Sequence, residues 1–176
     1  MKKAIILIGI LCTWANLTQA QNEIRKITQT LMHYIEGTAQ GQPERLRQVF
    51  HPDFKLFLVT TDSLRVIDGQ GYISRVKKGE KYNRQGRIVA IDYENDAAMA
   101  KIEVVFPDTK RIATDYVMLL KINGQWKIMH KIINLKYYHN ISDLHTKEAR
   151  GVEEIKETLQ HYLDETSTMG TKFLMN

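Results

Sequence analysis

The sequence predicts an α+β domain in which helices come first and a long antiparallel sheet follows. Three observations carry this. Ile24, Ile27, Leu31, Tyr34 and Ile35 recur at spacings of three and four, the period of a helix with one apolar face. Long alternating or β-branched runs then occupy residues 87–93, 97–106, 110–122 and 126–138. Between them stand the turn sequences Glu94-Asn95-Asp96, Pro107-Asp108 and Asn123-Gly124.

In chain order, Lys2 and Lys3 precede an apolar run, Ala4–Leu11, and the segment ends Leu17-Thr18-Gln19-Ala20, with small residues where a signal peptidase needs them. Residues 1–20 therefore read as a secretory signal peptide, with a periplasmic or secreted destination. The apolar run thins at Thr13 and Asn16, too soon for a membrane anchor, so no stable anchor is expected after cleavage. The expected cone-forming segment is 21–138, and its first helix runs over 24–38, bracketed by Gly37 and Gly41. Pro43 starts a second helix over 44–50, which His51-Pro52-Asp53 stops. Residues 54–60 and 64–67 read as strands, and Asp68 caps a third helix reaching about Lys78.

Composition narrows the function classes. Of 176 residues, 43% are apolar and 26% charged, which excludes a wholly disordered chain. The single Cys12 excludes a disulfide framework or a cysteine-rich metal site, and His33/His51 and His139/His145 lack a third ligand at metal spacing, so no metal or cofactor is expected. The net charge of +5 is scattered among acids rather than gathered into a stripe, and no nucleic-acid partner is expected.

Strand phase decides which side chains meet the helices. In 126–135 only the set Lys127, Met129, Lys131, Ile133, Leu135 carries charge, so Trp126, Ile128, His130, Ile132 and Asn134 are expected inside. The same reasoning turns Ile112, Thr114, Tyr116, Met118 and Leu120 inward and Arg111, Asp115 and Lys121 outward. A three-residue loop, Ile122-Asn123-Gly124, keeps the faces consistent, placing Tyr116 beside His130 inside and Asp115 beside Lys131 outside. The outer face then carries Val117, Leu119, Met129, Ile133, Leu135, Val105 and Met99, an apolar band.

The run Thr114-Asp115-Tyr116-Val117-Met118-Leu119-Leu120, followed by Gly124-Gln125-Trp126-Lys127-Ile128 and Lys131, resembles the closing hairpin of the putative lumazine-binding branch of the nuclear-transport-factor-2-like superfamily. His51-Pro52-Asp53 falls where that branch often has the same tripeptide, and the resemblance spans 22–138. It implies a cone-shaped curved antiparallel sheet wrapped around the N-terminal helices, with a pocket at the open end, and pairing of two copies through the outer sheet face. Steroid Δ-isomerases of the same superfamily share the layout Tyr34, Gly41, Phe50. That alignment puts Tyr34 on their oxyanion-binding tyrosine, but Leu58 on their general base and Met118 on their second acid. Neither leucine nor methionine changes protonation, which argues against isomerase chemistry by that route.

The function expected is an exported small-molecule-binding domain, ligand unknown, with Leu58, Phe106, Met118 and Ile128 as apolar wall and Tyr34, Tyr116 and His130 as polar points. The alternatives are a pocket enzyme (hydrolase, dehydratase or isomerase type) using His130 as acid/base, with Asp92 its only strand carboxylate, and a dimerising structural module. The run Lys77-Lys78, Lys81, Arg84 reads as a solvated face or the rim of the cone, where it attracts an anionic ligand. Beyond a polar linker, 139–150, the stretch 152–166 repeats 24–38, with His33-Tyr34 matched by His161-Tyr162. Residues 151–176 are therefore expected to form a C-terminal helix resembling the start of a second, truncated copy.

Overall fold

A computed structural model describes residues 2–138, with side chains from residue 19 onward. The linker expected at 139–150 and the helix at 151–176 lie outside the described residues.

Two helices open the fold: α1, Lys2–Ala39, which contains the expected 24–38 helix, and α2, Pro43–Val49. Strands β1, Phe50–Thr60, and β2, Ser63–Asp68, follow, and Asp68 caps α3, Gly69–Ile73, by accepting from the Gly71 amide at 2.7 Å. The remaining strands are β3, Gln85–Glu94; β4, Ala97–Phe106; β5, Arg111–Ile122; and β6, Gln125–Tyr137. One six-stranded sheet results, in the order β2-β1-β6-β5-β4-β3. It curves around α1, whose Ile27, Leu31 and Tyr34 are buried against Ile102, Leu119 and Ile128.

The sheet is mixed, because β1 pairs parallel to β6. β1 also starts four residues earlier than expected: His51-Pro52-Asp53 belongs to the strand, at the irregularity in β1/β6 pairing between Phe50 and Lys55. α3 stops at Ile73, well short of Lys78. The segment after it is tied to the end of α1 by hydrogen bonds from the Gly79 amide to the Gly41 carbonyl and from the Tyr82 amide to the Ala39 carbonyl, each 2.8 Å. Gly41 sits at φ +61°, and a Cβ there would lie 2.3 Å from the Glu80 carbonyl oxygen, so only glycine lets this segment close in.

The expected phase of β5 and of the second half of β6 is corrected. Asn123-Gly124 forms a two-residue turn with φ of 51° and 76°, pairing Ile122 with Gln125, rather than a three-residue loop. Trp126 and Ile128 do face inward, but the pairing shifts between Met118/His130 and Leu119/Ile128, leaving Met129 as an extra residue. Beyond this bulge Lys131 and Ile133 turn inward, while His130 and Ile132 turn outward. On β5 the inward set is Ala113, Asp115, Val117 and Leu119. Tyr116, Met118 and Leu120 are exposed on the outer face, where Met99 and Ile132 join them, whereas Val117 and Leu119 of the expected outer band are core.

At the turn end of the β5/β6 hairpin, Glu23 of α1 accepts from Trp126 Nε1 at 2.9 Å and pairs with Lys121 at 3.2 Å and Lys26 at 3.0 Å. Hydrogen bonds from Lys26 and then Trp126 outweigh burial and, with Lys121, hold its carboxyl at about 2, below the ordinary 4.5. A pKa depressed in the folded state gives stability that is complete above the unfolded value and fades as pH falls through the folded one. The stability advantage of the native chain over Glu23→Gln is therefore expected to be full above pH 4.5 and to shrink between pH 4.5 and about 2. Urea unfolding midpoints across that range check this; a constant gap would show that Glu23 is not held ionised by these contacts.

Candidate functional site

A cavity of about 210 Å³ lies at the end of the sheet opposite the Asn123-Gly124 turn. Val104, Phe106, Ala113, Ile133 and Leu135 supply its apolar wall, and Tyr34, Tyr72, Arg84, Arg111, Asp115 and Lys131 its polar one. The polar residues arrive on five pieces of the fold: Tyr34 from the buried stripe of α1, Tyr72 from α3, Arg84 from the segment anchored by Gly41, Arg111 and Asp115 from β5, and Lys131 from β6.

At its floor three groups form a closed set. Lys131 Nζ donates to Tyr34 Oη at 2.6 Å and to Asp115 Oδ2 at 3.2 Å, and lies 3.5 Å from Tyr72 Oη. The Tyr34 hydroxyl in turn donates to Asp115 Oδ2 at 2.6 Å. Lys131 also stands 4.7 Å and 4.9 Å from the ring centres of Tyr34 and Tyr72, within cation–π range. With side chains only 3% and 1% exposed, Lys131 and Asp115 form a buried ion pair. Burial, then the Asp115 charge, pushes the Tyr34 phenol well above its ordinary value of 10, although Arg84 opposes the shift. Two buried polar atoms on the cavity-lining residues, Asp115 Oδ1 and Arg84 Nε, have no protein partner.

Arg84 and Arg111 complete the wall. Their guanidinium carbons lie 5.3 Å and 6.0 Å from the centre of the Phe106 ring, and Arg111 Nε donates to Thr109 Oγ1 at 3.0 Å. Three cations and one carboxylate thus line the cavity.

Of the residues expected to line a pocket, Tyr34 and Phe106 line this cavity, whereas Met118 and His130, with Asp92, line a separate hollow of about 430 Å³. Ile128 is core and Leu58 packs against it. Tyr116, Met118 and His130 lie on the opposite face of the sheet; the His130 ring meets Phe57 at 5.7 Å and its Nδ1 is buried without a partner. Asp92 is exposed on that same face. The acid inside the cone is Asp115, so the absence of an acid at Met118 says nothing about the cavity. Asp115 and Lys131 do pair, but inside rather than toward solvent, and diagonally, with Ile133 across from Asp115 and Val117 across from Lys131. Among the described residues, no group of three or more His, Cys, Asp or Glu is arranged to hold a metal.

A family model described as "Putative lumazine-binding" matches residues 22–134. The chain is 22% identical over 116 residues to aldolase FrzH from a Cladobotryum species, covering 64% of this chain and 91% of that protein. Two crystal structures of nuclear-transport-factor-2-like proteins of unknown function superpose on it. The one from Methylobacillus flagellatus is 27% identical, with TM-score 0.58, covering 65% of this chain and 93% of that one. The one from Shewanella baltica is 25% identical, with TM-score 0.60, covering 66% and 96%.

The ion pair yields a stability test. Lys131→Met strands Asp115 with one phenol and is expected to cost about 3–5 kcal/mol, whereas Lys131→Met with Asp115→Leu recovers most of that loss. Urea denaturation of the set checks it. A single-variant cost below about 1 kcal/mol would mean that the pair is solvated, as surface pairs are.

Proposed function

The chain belongs to the putative lumazine-binding family, on the nuclear-transport-factor-2-like fold, and from that membership we propose that it holds one small molecule in the cavity inside its cone. The observation that carries this is the pair of buried atoms, Asp115 Oδ1 and Arg84 Nε, that the protein's own side chains leave unpaired on residues lining that cavity. Leaving such a group unpaired costs about 1–3 kcal/mol, a cost that a bound molecule removes. Apolar wall and few convergent polar groups are the usual composition of a ligand site.

We also propose export, with cleavage after Ala20. Glu23 is the first buried side chain among those described, so cleavage after Ala20 leaves the contacts made by Glu23 and the later residues of α1 in place. A catalytic use of the same cavity is the second reading, favoured by the aldolase relative and by a carboxylate oxygen left free beside a phenol donor. His130 has no part in it, being on the far face.

Native mass spectrometry of protein recovered from its own cell envelope tests both. The expected species begins at Gln21 and releases a small molecule on activation; an intact residue 1–20 segment would sink export. If the retained molecule is consumed on incubation, and Asp115→Asn stops this, the second reading holds. Protein that retains nothing, and whose Tyr34 and Ile133 resonances ignore millimolar lumazine and phenol, would remove the cavity reading.

For assembly, we propose a homodimer through the outer sheet face. Met99, Tyr116, Met118, Leu120 and Ile132 are exposed there, more apolar surface than a solvated sheet face shows. Sedimentation at micromolar concentration is expected to give a dimer that Met118→Lys converts to monomer; a monomeric native chain would count against it.

A further inference from the structure

The charge and size of the cavity define a ligand class; this inference rests on the reading that the cavity holds a small molecule. Lys131 is neutralised by Asp115, which leaves Arg84 and Arg111. Among the described residues neither guanidinium is paired with a carboxylate; both are held against the Phe106 ring, and Arg111 has only the Thr109 hydroxyl besides. Two unneutralised guanidiniums on a partly apolar wall favour an anion, and the planar fork of arginine suits a carboxylate best.

The floor has the opposite need. Asp115 is 1% exposed, and its Oδ1 accepts from no protein group. A carboxylate oxygen only accepts, so the group that meets it must donate. Size sets the third limit. A dry cavity of about 150 Å³ holds benzene. The 210 Å³ here admits one ring with one or two short substituents, not a fused second ring.

We propose that the cavity binds a single-ring organic acid, its carboxylate against Arg84 and Arg111 and a hydroxyl or ring N–H donating to Asp115 Oδ1. Arg111 and Asp115 stand four residues apart on β5, roughly 13 Å along the strand, so the ligand carries its acid and its donor at separate positions of the ring.

Calorimetric and NMR titrations of the purified protein with six probes test this: meta- and para-hydroxybenzoate, benzoate, methyl para-hydroxybenzoate, a hydroxynaphthoate and phenol. At least one hydroxybenzoate is expected to bind and to shift Tyr34 and Phe106 resonances. Benzoate, lacking the donor, and the methyl ester, lacking the anion, should each bind about tenfold more weakly, and the hydroxynaphthoate should be refused. Arg84→Gln and Arg111→Gln should each lower hydroxybenzoate affinity about tenfold and reduce its salt dependence. An ester that binds as well as the acid, or arginine variants that bind the acid as the native chain does, overturns the proposal. So does a cavity that takes phenol but neither hydroxybenzoate, although small-molecule binding then stands. If phenol and every acid leave the cavity resonances unmoved, the proposal falls, and if in addition lumazine does so and the recovered protein retains nothing, small-molecule binding falls with it.

Discussion

The buried pair of Lys131 and Asp115, with Tyr34 bridging them, is the constraint from which the architecture of the cone end follows. An ammonium and a carboxylate taken out of water must face each other, because either alone would be strongly destabilising. Both side chains must therefore point into the cone. Alternation along β5 then sends Tyr116, Met118 and Leu120 outward, and the Met129 bulge lets β6 keep Trp126 and Ile128 inside while bringing Lys131 in as well. Without that extra residue the strand would have to expose either Ile128 or Lys131's intended partner face.

The same helix is gripped twice by one hairpin. Glu23 binds the turn end of β5/β6 through Trp126 and Lys121, and Tyr34 binds the far end through Asp115 and Lys131. Eleven residues separate the two grips, roughly 16 Å along an α-helix. Between them Ile27 and Leu31 are wholly buried. Apolar packing is non-directional and would tolerate rotation or sliding of α1, whereas two polar anchors at opposite ends fix its depth and angle. The position of the Tyr34 hydroxyl in the cavity is thus set as much by Glu23 as by its own partners.

Most of the element order was legible, since it rests on local signals. The α1 stripe, the Pro43 start, the Asp68 cap and the strand edges at Ala97 and Phe106 need only period and turn chemistry. The phase of β5 and β6 was not, for a physical reason. Both alternating sets of residues 112–120 are largely apolar, so charge alone decided the assignment, and charge marks solvent only when it is not neutralised by a neighbour. The expected register set Asp115 across from Lys131 and Tyr116 across from His130; instead Asp115 lies across from Ile133 and Tyr116 from Ile132, and the ion pair forms on the diagonal, through a two-residue turn and a bulge that no turn residue announces. The parallel pairing of β1 with β6 was illegible for a related reason: strands more than sixty positions apart meet through the closure of the fold, not through any local signal.

Placing charge inside also explains why there is a cavity at all. At the turn end, Trp126, Leu119 and Ile128 fill the cone. At the other end the apolar residue that β5 contributes to the wall is only alanine, Ala113, and the volume around it is bounded by the long side chains of Arg84, Arg111, Tyr72 and Lys131. Those side chains cannot collapse inward. Lys131 is fixed by three oxygens, and the two guanidiniums are positioned on Phe106, so filling the space would require breaking charge-assisted bonds or crowding like charges. The unpaired polar atoms and the free space therefore occur together: the pair that fixes the strands consumes one oxygen of Asp115 and leaves the other without a protein partner on a residue that lines the cavity the neighbouring cations keep open.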